Sequence, residues 1–560
     1  MDKQKSPIDS FNVSLGPSPA DRPTARRVEP WNILVCSDLG FTSTKPQQAR
    51  IAEWNEFMRS QNIVLSGRVE NTLTTAGKPF YMEYPVQSMK DFSAGTVEKT
   101  IPELAAFSRV LAALQRLLEG KTGCADAASM VKDAGLPVEE ERRVLGMLGP
   151  APSAPKLQGK SADSPIDRIL SMVGPATAAP GPHRPHSEAD AAVAGALFHA
   201  VVDAPESYDK AKVSAYVAEC TARLKNQSDA ITAQPFFAMR MASWNCLMTL
   251  AKTVGRQTSA SIGIFSSPAE DMPGCLVQVL GWCMEAGEPP DIVVWDYDVS
   301  FSNASVGALA AVAEAAERYK CMVIAPIAGA DPLLDGISGR SSVSHLFEDV
   351  RFLPYKKLRE NTHTRCLCLC APPLVFDGPK DGPLQQNCRS PWYAAIRWAG
   401  MLLFESNPFG AHPPQPATES VFSGEPVLVE RIAPGIAAEA AGMGLTLFSD
   451  SPEGKTLDKA VAVISGDEVD KSFTSFLFNL LVNRVIRLCG IRVLAAGAGE
   501  KKEDVAAALQ EFVRRDLAAC GIASGGAAVN ASVQGAEVIQ MAVDSETAIS
   551  GYRVRFSFSI

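Results

Sequence analysis

At 560 residues the chain exceeds what a single hydrophobic core organises, and three or four compact units of roughly 100–200 residues each are expected. Hydrophobic residues at 46% and charged residues at 21% exclude wholesale disorder, and a formal charge of -9 argues against nucleic acid as the main partner, because neutralising phosphates takes a basic surface. No stretch reaches the roughly 18 apolar residues of a membrane span, and MDKQKSPIDSF has no apolar run behind its lysines, so a cytoplasmic chain without membrane insertion is expected.

In chain order, Phe11, Val13 and Leu15 alternate in FNVSL as in a short strand, WNILVCSDLG reads as a second strand, ARIAEWNEFMRS as a helix and KPFYMEYPVQ as a strand. The polar corner VQSMKDFSAGTVEKTIPELAAF then leads into a helix over Pro102 to Leu118. Leu104, Phe107, Leu111, Leu114 and Leu118 form its apolar stripe, and Thr100 and Glu103 have the spacing of a capping box. This makes residues 1–120 a small α/β domain. Pro, Ala, Gly and Ser then accumulate, and residues 121–187 read as a linker. A short amphipathic helix over 165–173 interrupts it, with Ile166, Ile169 and Leu170 on one face. An isolated helix of this length needs a partner surface, so it is either a docking peptide or a piece packed back on a domain.

Beyond the linker, residues 188–560 open with KVSAYVAECTARLKNQSDAITAQPFFAMRMASWNCLMTLAK, two helices broken near Gln234 and Pro235. The runs SASIGIFSS, DIVVWDYDV and KCMVIAPIA are strands separated by helical patterns such as ASVGALAAVAEAAERY. Such alternation implies an α/β region with a largely parallel sheet covered on both faces. In the closing YRVRFSFSI, Tyr552, Val554, Phe556 and Phe558 alternate with Arg553, Arg555 and Ser557, giving one apolar and one wet face. Strands at both termini carry backbone edges that are either covered within the chain or added to a neighbour.

Catalytic signatures are sparse. The chain has no phosphate-binding loop, HExxH, nucleophile elbow or paired CxxC, and GAGEKKE from Gly497 lacks the third glycine of a dinucleotide cradle. CLCLC, Cys366 to Cys370, reads as a buried strand, since metal sites take cysteines from turns, and no metal or cofactor is expected. Asp296 and Asp298 in WDYD are read as capping the next helix. The alternative is an α/β enzyme that uses the pair with a divalent cation.

The segments NEFMRSQNIVLSGRVENTL and FYMEYPVQSMKDFSAGTVEKTIPELAAFSRVLAAL resemble the small subunit (TssB, VipA) of the type VI secretion contractile sheath. The resemblance rests on Asn55, Phe57, Met58, Asp91, Phe92, Pro102, Leu104 and Leu111. The part beyond the linker resembles the large subunit (TssC, VipB). Leu224, Gln227, Ile231, Pro235, Phe236, Trp244 and Leu247 carry that likeness, with WDYDVSF, with Leu358, Arg359 and Arg365, and with the late SFLFNLLVNRVIRLCGIRV. Pro373 stands where that family has an arginine, Lys356 or Lys357 where it has a tryptophan, and the two subunits are fused in one chain.

The resemblance implies a structural protein and not an enzyme: a multi-domain sheath protomer that polymerises helically with copies of itself around an Hcp-like inner tube. It implies attachment to an envelope-anchored baseplate and recycling by a ClpV-like AAA+ unfoldase docking on Ile166, Ile169 and Leu170. By the same resemblance, Phe11, Val13 and Leu15 and the Tyr552, Val554, Phe556 and Phe558 set are strands exchanged between protomers, and the Leu104 to Leu118 stripe packs the small part on a partner domain. A non-contractile scaffold derived from sheath subunits is the remaining alternative.

Overall fold

The computed structural model describes residues 31–48, 54–74, 78–149, 208–254, 260–268, 270–328 and 342–371, with shorter stretches between 374 and 559. The chain divides into two compact units. One comprises Met1–Gly67, Tyr81–Ala94 and Thr232–Ile560, the other Arg68–Phe80 and Gly95–Ile231.

The N-terminal elements are β1 (Trp31–Ser37), β2 (Gln47–Gln48), α1 (Trp54–Ser60), β3 (Ile63–Val69), β4 (Phe80–Val86), α2 (Ala94–Thr100) and α3 (Pro102–Leu118). Strands β3 and β4 pair with each other. In β4 the buried residues Met82, Tyr84 and Val86 alternate with exposed neighbours, the period-two pattern of a strand with one wet face. Helix α3 starts at Pro102, which lacks the N–H a first turn leaves orphaned anyway. The expected Thr100–Glu103 capping box does not form. Thr100 is the last residue of α2, Ile101 is the N-cap, and its carbonyl accepts the Ala105 N–H at 2.8 Å. Leu104, Phe107, Leu111 and Leu114 are buried as the stripe predicts, but Leu117 rather than Leu118 completes the face.

The linker begins later than composition suggests, because α4 (Cys124–Asp133) and α5 (Val138–Met147) occupy the first part of residues 121–187. Ala127, Val131, Leu136, Val144 and Leu148 are buried there, so few apolar side chains suffice when small ones fill the gaps between helices. On the other side of the linker come α6 (Lys210–Thr232) and α7 (Pro235–Val254), with the break at Gln234 and Pro235 that the sequence predicts. Within the second unit α6 is tied to α5 by charge. Glu140 accepts from the Tyr216 hydroxyl at 3.2 Å and from Arg223 at 2.9 Å, and Arg143 makes a forked pair with Glu219 at 3.2 and 2.8 Å. Gln227, fully buried, donates to the Glu70 carbonyl at 2.9 Å and accepts from the Thr72 hydroxyl at 2.9 Å.

The rest of the first unit supplies β5 (Ala260–Ser266), α8 (Met272–Glu285), β6 (Ile292–Trp295), α9 (Asn303–Tyr319), β7 (Met322–Pro326), α10 (Leu353–Arg359), β8 (Leu367–Ala371), the three short strands β9 (Leu374–Phe376), β10 (Gln386–Cys388) and β11 (Val427–Leu428), α11 (Pro434–Gly442) and β12 (Leu445–Leu447). A seven-stranded sheet runs in the order β12-β8-β7-β6-β1-β5-β2. All neighbours are parallel except the antiparallel edge strand β2. Every residue of β6, β7 and β8 is buried, as parallel strands covered on both faces require. The CLCLC reading as a buried strand matches β8, with Cys366 in the turn before it.

The decisive feature is β1. It lies before the linker in sequence, yet pairs over seven residues with β5, from Trp31 opposite Ala260 to Ser37 opposite Ser266, and over four with β6. Each unit is therefore closed by chain from both sides of the linker, β1 in one and α3 to α5 in the other. A chain cut proteolytically at a site engineered within residues 150–160 should keep its two pieces together through gel filtration without denaturant. Separation of the pieces under those conditions would contradict this pairing.

Candidate functional site

In open parallel sheets ligands bind at the carboxyl ends of strands where the strand order reverses, here around β1. That position is filled by protein. Asp296, just past β6, is buried and accepts from the Ser37 hydroxyl at 2.7 Å and the Ser243 hydroxyl of α7 at 2.5 Å. One residue on in α7, Trp244 is fully buried and donates its indole N–H to the Leu39 carbonyl at 3.0 Å. Phe41, Trp54 and Phe57 surround it with ring centroids 5.8–6.4 Å away. Arg240 of the same helix holds Asp38 at 2.9 Å. Asp298 is exposed, so the two WDYD carboxylates do not converge on one cation. Nor do they cap α9, whose N-cap is Ser302 with its hydroxyl accepting from Ser305 N–H. A cavity of about 350 Å³ opens instead near the amino ends of β1 and β5, lined by Asn32, Lys45, Gln48, Ser261, Trp282 and Glu288, and Gln48 already donates to Glu288 at its rim. Among the described residues no group of three or more metal-ligating side chains gathers, and no helix is long and apolar enough to cross a membrane.

Val554, Phe556 and Phe558 lie on β18 (Arg553–Ser559), which pairs antiparallel with β15 (Ala528–Gly535) of the same chain, from Ala528 opposite Ser559 to Gly535 opposite Arg553. Between them in sequence, β16 (Ile539–Gln540) pairs with β17 (Glu546–Thr547); earlier, β13 (Ser449–Ser451) pairs with β14 (Gly454–Thr456). The β15 and β18 ladder has two strands among the described residues, so one edge of β18 is taken intramolecularly. Phe11, Val13, Leu15, Ile166, Ile169, Leu170, Tyr552 and the GAGEKKE turn lie outside the described residues.

Most motif residues of the first part serve the core. Met58 and Leu104 are fully buried, and Phe92 packs edge-on against Phe237 of α7 at 5.7 Å. The Asp91 carboxylate accepts the backbone N–H groups of Gln87 and Ser88, both at 2.7 Å, fixing the corner after β4, while the Tyr84 hydroxyl donates to the Asp91 carbonyl.

Sequence reasoning misses the clamps at the opposite end of the sheet. Asp291 precedes β6, where it accepts the Asn32 N–H of β1 at 2.9 Å, Arg484 at 2.8 Å and Arg487. Its own backbone bonds Asn32 and Met322, joining the starts of β1, β6 and β7. The Arg484 guanidinium also lies 3.9 Å over the Trp31 ring. A second clamp joins Glu317 at the end of α9 to Arg365 at 2.8 Å and to Lys320. Lys320, in the left-handed conformation with φ 53°, ends the helix and turns the chain into β7. The signal was present in RVIR of the late helix, where Arg484 and Arg487 stand three apart amid apolar residues.

Burial pushes both carboxyls up, but the paired cations overcome it and hold Asp291 and Glu317 below their ordinary values. Such groups stabilise the fold fully above their unfolded values near about 4, and this contribution is lost as pH falls toward the depressed folded ones. Asp291→Asn leaves two guanidinium groups buried without their carboxylate and should cost about 3–5 kcal/mol at pH 7 in urea unfolding. The deficit should shrink in acid. An unchanged midpoint would show that the clamp carries no stability.

Residues 30–143, from the start of β1 to within α5, match the family model "Type VI secretion system, VipA, VC_A0107 or Hcp2". No match was found among curated proteins. Among solved structures, a chain of the cryo-EM structure of the anti-feeding prophage (AFP) baseplate, 6-fold symmetrised, shares 14% identity and overlays with a TM-score of 0.33. The overlay covers 51% of this chain and 70% of that one.

Proposed function

We propose that the chain is a structural subunit of a type VI secretion contractile sheath, with the two sheath subunits fused, polymerising around an inner tube and contracting to drive it outward. The observation that carries this reading is the position of β1. The VipA-matching span does not fold as an appendage: its first strand is the third strand from one edge of a sheet in which five of the seven strands come from after the linker, and its β2 is that edge. Two subunits that must occur in equal numbers are thereby held in one protomer, and a linker raises their effective concentration without adding contacts.

Strand exchange is the route to polymerisation in this proposal. The intramolecular β15 and β18 pair uses one edge of β18, and the other is the one to which the Phe11, Val13 and Leu15 strand of a neighbouring copy would add. Backbone pairing of that kind lets bodies rotate while the lattice stays connected. The inner tube, the baseplate and an unfoldase docking on Ile166, Ile169 and Leu170 complete the assembly this reading implies, in the cytoplasm. The packing at the carboxyl ends of the sheet, with Asp296 sealed by two hydroxyls, supports a structural over a catalytic role.

Negative-stain micrographs of the purified full-length chain should show tubes, lost on deletion of residues 551–560 or 1–16 while the melting midpoint of the sheet core is kept. A monomeric protein, or tubes indifferent to both deletions, would sink the strand-exchange proposal.

A further inference from the structure

We infer that the ridge from Val350 to Lys357 is a docking surface for a second copy of this chain, which seats its own Val138 and Glu139 corner there; this deepens the self-assembly reading above. Val350 is 82% exposed, the highest value among the exposed large apolar residues described, and Leu353, three residues on, is 47% exposed. Lys356 and Lys357 follow Leu353 at the three- and four-residue spacing that shares a helix face, and both are exposed. Neither has an ion-pair partner among the described residues, whereas Arg351 is already committed to Asp349 at 2.9 Å. The free face thus offers two apolar tips beside two ammonium groups.

The ridge is held rigidly from below. Phe352, Tyr355 and Leu358 are buried, with Phe301 and Tyr355 rings 4.7 Å apart and Phe347 and Phe352 5.6 Å apart. The Tyr355 hydroxyl donates to the Met443 carbonyl at 2.9 Å, and Arg359 donates to the Gly442 and Val463 carbonyls at 3.1 and 3.2 Å. Docking on such a platform costs little ordering of the chain.

The occupant follows from charge. The chain carries a formal -9, so a copy of it is an acidic partner, and one exposed corner matches the ridge in kind. Val138, 62% exposed, opens α5, whose first turn holds Glu139, Glu140 and Glu141. Glu140 is used internally by Arg223 and Tyr216, while Glu139 is exposed and has no ion pair among the described residues, although Arg142 lies on the next turn. An apolar tip beside carboxylates meets apolar tips beside ammonium groups, a pairing that favours this register over alternatives. Because the two surfaces differ, the contact is head-to-tail and propagates into an open assembly unless its rotation closes a ring.

The test is sedimentation velocity on the full chain with Lys356→Glu/Lys357→Glu, with Glu139→Lys/Glu141→Lys, with both pairs together and with Val350→Ser, circular dichroism confirming that each is folded. Either reversed pair alone and Val350→Ser should weaken self-association roughly tenfold, and the combination of both reversed pairs should restore it. Reversed pairs without effect, or a combination weaker than either alone, would overturn the contact. Tubes that persist through every variant overturn this surface and leave the sheath reading standing. Discrete oligomers sensitive to the reversals, with no tubes in micrographs, do the opposite, and a strictly monomeric parent chain overturns both.

Discussion

The fold depends on the pairing of β1 with β5 and β6 across more than two hundred residues of intervening chain. A parallel strand cannot be closed by a tight turn, so its partners must be brought from a distance and their loop entropy offset by burial. Ile33, Leu34, Val35 and Cys36 are almost wholly buried between those partners. Removing β1 would expose the facing edges of both, so the seven-stranded sheet is complete only with chain from both sides of the linker.

What fixes the register is polar. Asp291 reads the Asn32 backbone directly, through its carboxylate and its own N–H, and the Asn32 amide reaches the Pro289 carbonyl at 3.1 Å. At the far end Asp296 takes Ser37 in the same strand, and its backbone N–H donates to the Cys36 carbonyl at 2.9 Å. A slip of β1 by one residue would break both ends at once and turn its side chains to the wrong face. Two carboxylates flanking β6 thus specify the seat of β1, one paired with guanidinium groups and the other accepting from two hydroxyls on one oxygen. The first is the more demanding, because a buried charge keeps its place only when fully paired.

The element pattern was legible where periodicity was strong. Trp31 to Ser37, the break at Pro235, the helix over Asn303–Tyr319 and the β8 cysteines were read from local spacing alone, because buried parallel strands and amphipathic helices advertise themselves in apolar runs. Helices α4 and α5 were not, since Ala127, Ala128 and Ala134 bury surface without raising the apolar count that marks a core, and Gly and Asp around them imitate a linker. Strand β3 was hidden by Gly67 and by Val64, an apolar residue on the wet face. Gly67 is there because an added Cβ would run into the Phe236 ring, a reason that no local window contains. The clamps were out of reach for a similar cause. Asp291 and Arg484 are 193 positions apart, and only the closed sheet makes them neighbours.

The same geometry constrains how such a chain can work as part of an assembly. A protomer whose units each contain chain from both sides of the linker cannot release one half to exchange it with a neighbour without unfolding a central strand, so in the proposed assembly the contacts between copies would come from surfaces and edges outside the β1 pairing. The β15 and β18 ladder meets that condition, because it forms a sheet separate from the seven-stranded one. Under the strand-exchange proposal, terminal strands would bear the motion, while the buried clamps brace the unit that holds the seven-stranded sheet.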